Sequence, residues 1–237
     1  MKKGWYILNY HDISWEENIL IRGIGGSFSP DIFENHVRCL NQEFNLISIQ
    51  QGYSLWKENK IHEPILSFWF DDGYIGNRKY AKPILEDYGT TAAISINSNF
   101  MLRKEQFWRF KLSYIKFNDG LRFLRSRLRK LGLVINDDLK ALTLNHFSNE
   151  ILDVIDDLYV NMSTENFRVR AFDIFDTKEG IKELHDAGWE IANHSASHYP
   201  IAESTYEKHF KSEFQKCEEV ILELLNKPCK FWVLPFD

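Results

Sequence analysis

Two adjacent carboxylates and a pair of histidines are the residues of this chain whose types and spacing suggest chemistry. Asp71 and Asp72 end an apolar run, Pro64-Ile65-Leu66-Ser67-Phe68-Trp69-Phe70, and are followed by Gly73 and Tyr74. The run reads as a buried strand, and acids placed where it leaves the core are costly unless solvent, a metal or a proton-transfer role uses them. Successive side chains on a strand diverge, so one carboxylate can bind a metal while its neighbour faces a substrate. The plainer reading of the same residues is an Asp-Asp-Gly turn with no chemistry. His194 and His198 are four residues apart. A helical turn would set both imidazoles on one side, and with one carboxylate they form a two-His, one-Asp ligand set with room for water and a substrate oxygen. Asp72 completes that set only if its strand end lies beside the strand that leads to His194; otherwise the pair reads as hydrogen-bonded histidines.

The elements that must position these residues alternate between strand and helix. Trp5 to Asn9 reads as a first strand, with His11 beyond its end either lining a cleft or sitting at the surface. Ser29-Pro30-Asp31 supplies an N-cap, a pre-set first helical residue and an acid in the first turn, and Phe33, Val37, Leu40 and Phe44 continue at helical spacing. Leu46 to Ile49 reads as a short strand. Tyr80, Ile84, Leu85 and Tyr88 predict a helix that starts or bends near Pro83 and stops at Gly89, and Thr91 to Ile96 reads as the next strand. Strand, helix and strand in this order favour a parallel β/α architecture, in which functional loops gather at the C-terminal ends of the strands.

From residue 100 to about 170 the pattern becomes mainly helical. Leu121, Leu124, Leu128 and Leu131 form an apolar stripe on a helix otherwise covered by Arg122, Arg125, Arg127, Arg129 and Lys130. Ser148 caps a later helix with Ile151, Ile155, Leu158 and Tyr159 on its core side. Regular organisation returns with a helix after Thr177 that ends near Gly188, a strand from Trp189 to Ala192 leading into Asn193 and His194, a helix through Phe210 to Leu225, and a final strand from Phe231 to Leu234. The expected organisation is one domain, 1–237, with a helical elaboration over 100–170.

Composition narrows the function classes. With 29 Lys+Arg against 34 Asp+Glu the formal charge is -5, so no global positive field points to nucleic acid. Aromatic residues make up 15% of the chain, which suits either a sugar-binding cleft or a large core. Cys39, Cys217 and Cys229 are too few and too scattered for a disulfide framework. The N-terminus has no long apolar region and no stretch approaches the length of a membrane span, so the expected location is cytoplasmic.

Two segments together resemble the signature regions of NodB-type polysaccharide deacetylases, carbohydrate esterase family 4. The first is Phe70-Asp71-Asp72-Gly73-Tyr74 with Pro83-Ile84-Leu85-Glu86-Asp87-Tyr88-Gly89-Thr90-Thr91-Ala92, and the second is Gly188-Trp189-Glu190-Ile191-Ala192-Asn193-His194-Ser195-Ala196-Ser197-His198. Tyr10-His11 and Ser29-Pro30-Asp31-Ile32-Phe33 are similar to the lead-in of many members. The resemblance implies an α/β fold, a distorted (β/α) barrel with fewer strands than the regular eight. It makes Asp71 the catalytic base, Asp72, His194 and His198 the metal ligands, a divalent metal, Zn2+ first, the cofactor, and an N-acetylated glycan or activated sugar intermediate the substrate. The third family region, usually an arginine before a proline-rich strand end, has only Phe231-Trp232-Val233-Leu234-Pro235-Phe236-Asp237 as its counterpart, without the arginine. The later histidine element that supplies the general acid has no counterpart, which leads to the expectation of a barrel short of its closing strands. Two other readings share the sequence: a glycan-binding protein without turnover, and a module that docks an anionic partner through the basic helix near Arg122.

Overall fold

The computed structural model describes residues 2–23, 25–134, 148–200 and 210–236. Part of the helical elaboration, 135–147, and Asp237 of the terminal segment lie outside the described residues. The chain is an α/β protein built on a five-stranded, wholly parallel sheet. Its strands are β1 (Gly4–Tyr10), β4 (Asn45–Leu46), β5 (Pro64–Phe70), β6 (Ala92–Ile96) and β7 (Glu190–Asn193), in the order β1-β5-β6-β7, with β4 also paired to the start of β5. A small parallel ladder joins β2 (Asp12–Ile13) to β3 (Ser27–Phe28).

Side-chain alternation gives the sheet two different faces. Phe68 and Phe70 of β5, Ile94 of β6 and Ile191 of β7 share one face with Tyr10. They pack there against Phe33 and Val37 of helix Pro30–Glu43, Leu85 of Lys82–Asp87, Ile181 and Leu184 of Lys178–Asp186, and Cys217 and Ile221 of Lys216–Leu225. On the opposite face Trp69, Ala93 and Ala192 pack with Trp5, Ile49, Phe231 and Val233 in a smaller cluster. Trp5 Nε1 donates to Ser67 Oγ at 3.0 Å on this side. Asn9, Asp71 and Ser95 continue that face toward the C-terminal ends of the strands.

Local chemistry sets the helix starts. Ser29 accepts the Ile32 amide ahead of Pro30, Ser148 caps Asn149–Met162, and Thr177 caps Lys178–Asp186. Ser48 forms a reciprocal capping box with Gln51, so the helix Ile49–Lys57 begins where a strand through Ile49 was expected; the strand is only Asn45–Leu46. The helix before Gly89 is composite, a π-helical turn Asn77–Ala81 followed by Lys82–Asp87 with Pro83 in its first turn, where a missing amide costs little.

The helical elaboration has its own apolar cluster. Helices Trp108–Phe117, Leu121–Lys130 and Asn149–Met162 bring Phe110, Ile115, Leu124, Leu128, Ile155 and Leu158 together. Leu131 departs from the expected stripe: it lies just past the last helical turn and is 45% exposed. This cluster reaches the sheet through Tyr74, stacked on Phe175 with centroids 5.5 Å apart. The expected final strand is reduced to one parallel bridge between Trp232 and Asn193. Among the described residues no helix is long and apolar enough to cross a membrane.

Candidate metal centre

Asp71 and Asp72 leave the end of β5 in different directions, as divergence along a strand requires. Asp71 stays in phase with Ser67 and Trp69. Its amide donates to the Tyr10 carbonyl at 3.0 Å, which extends the β1–β5 ladder by one step. Asp71 Oδ2 accepts Asn9 Nδ2 at 2.7 Å, and Oδ1 accepts Trp69 Nε1 at 3.1 Å and the Ser95 hydroxyl. Three side-chain donors, one each from β1, β5 and β6, thus hold one buried carboxylate. Continued extension would send Asp72 to the opposite face, but its φ of 71° and that of Gly73 at 73° turn the chain instead. Left-handed backbone at a non-glycine costs about 1–2 kcal/mol and persists only where the surroundings enforce it.

His194 and His198 meet Asp72 from the end of β7. The His194 amide continues the sheet by donating to Ile96 at 3.0 Å. The segment beyond is not the helical turn expected from the spacing of the two histidines. Residues 194–200 form an irregular loop in which Ser195 and His198 adopt φ of 71° and 56°. Hydrogen bonds to surrounding elements replace the helical ladder. Asn97 Nδ2 donates to the carbonyls of His194 at 2.5 Å and Ser195 at 3.3 Å, and the His198 amide donates to Ser195 Oγ at 3.0 Å. The Ser197 amide donates to Glu213 Oε2 at 2.7 Å, while its hydroxyl contacts Glu105 at 2.6 Å. The loop therefore brings the two rings together by tertiary contacts, with centroids 4.7 Å apart.

The geometry fits a cation. His194 Nε2 and His198 Nε2 lie 3.5 Å and 3.4 Å from the same oxygen, Asp72 Oδ1, and all three residues are buried. Ligands about 2.1 Å from a tetrahedral ion stand about 3.4 Å from one another, so the spacing matches a shared ion. Asp72 Oδ1 is buried and has no hydrogen-bond donor, a costly state that a cation relieves. His194 Nδ1 meets the Val233 carbonyl at 3.0 Å; as the donor there, it leaves the Nε2 lone pair facing Asp72. Burial raises the Asp72 pKa, opposed chiefly by the charge of His194. Burial also holds His198 well below the usual histidine value, with further depression from His194 and Arg109, so its ring is neutral and ready to donate a lone pair.

All four residues singled out in the sequence, Asp71, Asp72, His194 and His198, converge at the C-terminal ends of β5 and β7. Asn9, Trp69, Ser95, Asn97 and Glu213 were not singled out, although they hold Asp71 and the loop that carries His194 and His198. Their signal was polar residues inside or at the ends of strongly apolar strands, as with Asn9, Ser95 and Asn97. Glu213 gave no local cue. His11 is exposed just beyond β1, and its carbonyl accepts Asn77 Nδ2 at 2.9 Å.

The fold recurs in solved structures. A de-N-acetylase from Aggregatibacter actinomycetemcomitans superposes with a TM-score of 0.60 at 16% identity, covering 98% of this chain and 79% of that one. IcaB from Ammonifex degensii gives 0.58 at 13% identity, covering 100% and 76%. The Streptococcus pyogenes deacetylase PplD, whose structure is a complex with acetate, gives 0.56 at 15% identity, covering 97% and 73%. No curated protein matches the chain in sequence. The sequence profile of polysaccharide deacetylases matches residues 58–236, from just before β5 through both site segments, and the chain belongs to the polysaccharide deacetylase family.

Proposed function

We propose that this protein hydrolyses the N-acetyl group of an N-acetylated carbohydrate, using Asp71 as general base and a divalent metal, zinc first, held by Asp72, His194 and His198. The observation that carries this reading is the division of adjacent carboxylates between two environments. Asp72 presents a donor-free oxygen to two imidazole nitrogens, whereas three side chains grip Asp71 beside it. A divalent cation bound there supplies Lewis acidity toward the amide carbonyl and lowers the pKa of water.

The chain's own residues account for the proton. Asp71 takes it from the attacking water as the C–O bond forms, with Asn9, Trp69 and Ser95 keeping the carboxylate in place. The C–N bond then breaks, and protonated Asp71 is the acid from which the departing amine recovers that proton. Membership of the deacetylase family supports the reaction class, and the acetate held by PplD is the product such a reaction releases.

The test is acetate release from a panel of N-acetylated sugars and oligosaccharides by the zinc-loaded protein, with Asp71→Asn as control. Release that disappears in the variant supports the proposal. No release at full metal occupancy overturns it in favour of a glycan-binding protein without turnover.

A further inference from the structure

The helical elaboration places a cation without a hydrogen-bonded carboxylate, among the described residues, beside the metal centre. Arg109 sits on helix Trp108–Phe117, next to Trp108, whose Nε1 donates to the His198 carbonyl at 3.3 Å. Its guanidinium lies 5.4 Å from the centroid of Phe236, and that ring meets His198 edge-on with centroids 4.7 Å apart. Other basic residues of the elaboration have carboxylate partners: Arg103 with Asp173 at 3.0 Å, Lys111 on the same helix with Asp156 at 2.7 Å, and Arg127 with Asp157. Arg109 is half-buried and makes no hydrogen bond or ion pair among the described residues.

Its charge nonetheless reaches the site. Arg109 is among the groups that hold down the pKa values of Asp72 and His198, and burial disfavours its own charged form. A guanidinium partly withdrawn from water and left without hydrogen-bond acceptors is costly, and its planar fork of donors matches a carboxylate or phosphate group. A dication bound by Asp72 beside Asp71 finds two carboxylates to balance it, which leaves Arg109 for an incoming anion. The cation–π contact with Phe236 holds the guanidinium next to the ring that meets His198.

We propose that Arg109 is a specificity-determining residue that binds an oxyanion substituent, a carboxylate or a phosphate, of the sugar that enters the metal pocket. The site then takes an anionic N-acetylated sugar in preference to a neutral one. This rests on the deacetylase reading for its choice of ligand, but its test is separable from it.

Calorimetric titration of the zinc-loaded protein in an Asp71→Asn background compares N-acetylglucosamine, N-acetylglucosamine 1-phosphate and N-acetylglucosaminuronic acid. At least one anionic sugar is expected to bind tenfold or more tightly than the neutral one, and the larger ratio identifies phosphate or carboxylate as the recognised group. Arg109→Gln should abolish the ratio at unchanged zinc stoichiometry. Arg109→Lys, which keeps the charge without the fork, should retain less than half of it and serves alone if the glutamine variant does not fold. Equal binding of all three sugars, binding of none, or an unchanged ratio in either folded variant overturns the proposal, since anion binding to the metal alone would survive both substitutions. Acetate release by the Asp71-intact protein is read in parallel. Release without anion preference rejects the Arg109 proposal alone, whereas anion preference without release from any sugar rejects the deacetylase reading alone.

Discussion

Asn9 and Asp71 are 62 residues apart in sequence, yet the Asn9 amide donates to the Asp71 carboxylate at 2.7 Å from the neighbouring parallel strand. The contact follows from register. Asn9 pairs with Trp69, so Asp71, the next position on the same face just past the end of β5, falls within reach of its side chain. Asn9→Ala leaves Asp71 with the Trp69 and Ser95 donors but frees one carboxylate oxygen to swing. The expected result is kcat for acetate release lower by about tenfold, with little change in KM or metal content, because misplacing a catalytic group costs rate more than binding. Steady-state kinetics with metal analysis checks this, and an unchanged kcat would show that Trp69 and Ser95 suffice.

Removal of a proposed metal ligand should separate binding from folding. Loss of outer partners of a metal site costs about 10–100-fold in affinity, so loss of His198 itself should cost more than about 100-fold. Zinc titration of His198→Ala against a competing chelator reads this directly. The same titration across pH should show affinity falling on acidification. A proton competes for the Asp72 oxygen, and burial raises its pKa, so the competition begins at a higher pH than for an ordinary carboxylate.

Glu213 offers a pH signature of the loop that carries the histidines. Burial pushes its pKa up from 4.5 to about 7, opposed by the Ser197 amide hydrogen bond. The folded state therefore holds a proton that the unfolded state loses above 4.5, and the contribution of Glu213 to stability declines as pH rises from 4.5 through about 7. Glu213→Gln keeps an acceptor for Ser197 without the buried charge. It should match the parent near pH 4.5 and exceed it at pH 8 by as much as about 3 kcal/mol, from about 1.4 kcal/mol per pKa unit. Urea unfolding of both metal-free proteins at the two pH values decides it, and equal stability at pH 8 contradicts the assignment.

Arg78 and Asp176 tie the Asp71-Asp72-Gly73 turn to the return of the chain from the helical elaboration. Arg78 Nε and one terminal nitrogen bond the two Asp176 oxygens at 2.9 and 3.1 Å, and the Asp176 amide donates to the Gly73 carbonyl at 2.9 Å. The Asp176 side chain is fully buried, whereas Arg78 is 23% exposed. Arg78→Ala leaves an unpaired buried carboxylate and should destabilise the protein by about 3 kcal/mol. Denaturant unfolding measures this; a loss below about 1 kcal/mol would mean that water replaces the guanidinium.

The sequence by itself determined the parallel β/α order, the helix caps at Ser29 and Ser148, and the four residues that converge at the ends of β5 and β7. These signals are local: apolar alternation, capping chemistry and acids at the end of a buried strand leave their mark within a few residues. Where local signals competed, the sequence misled. The Ser48–Gln51 capping box turned an apparent strand into a helix start, and the spacing of His194 and His198 suggested a helical turn. Only the tertiary structure decided how those histidines meet Asp72, because the loop with left-handed backbone at Ser195 and His198 is held by Asn97, Glu105 and Glu213 from distant elements, and the left-handed turn at Asp72 and Gly73 is bonded by the Asp176 amide. The same holds for Asn9 on Asp71 and for Arg109 beside His198. Contacts between residues so far apart depend on strand register and helix placement, and no periodicity in the chain encodes them.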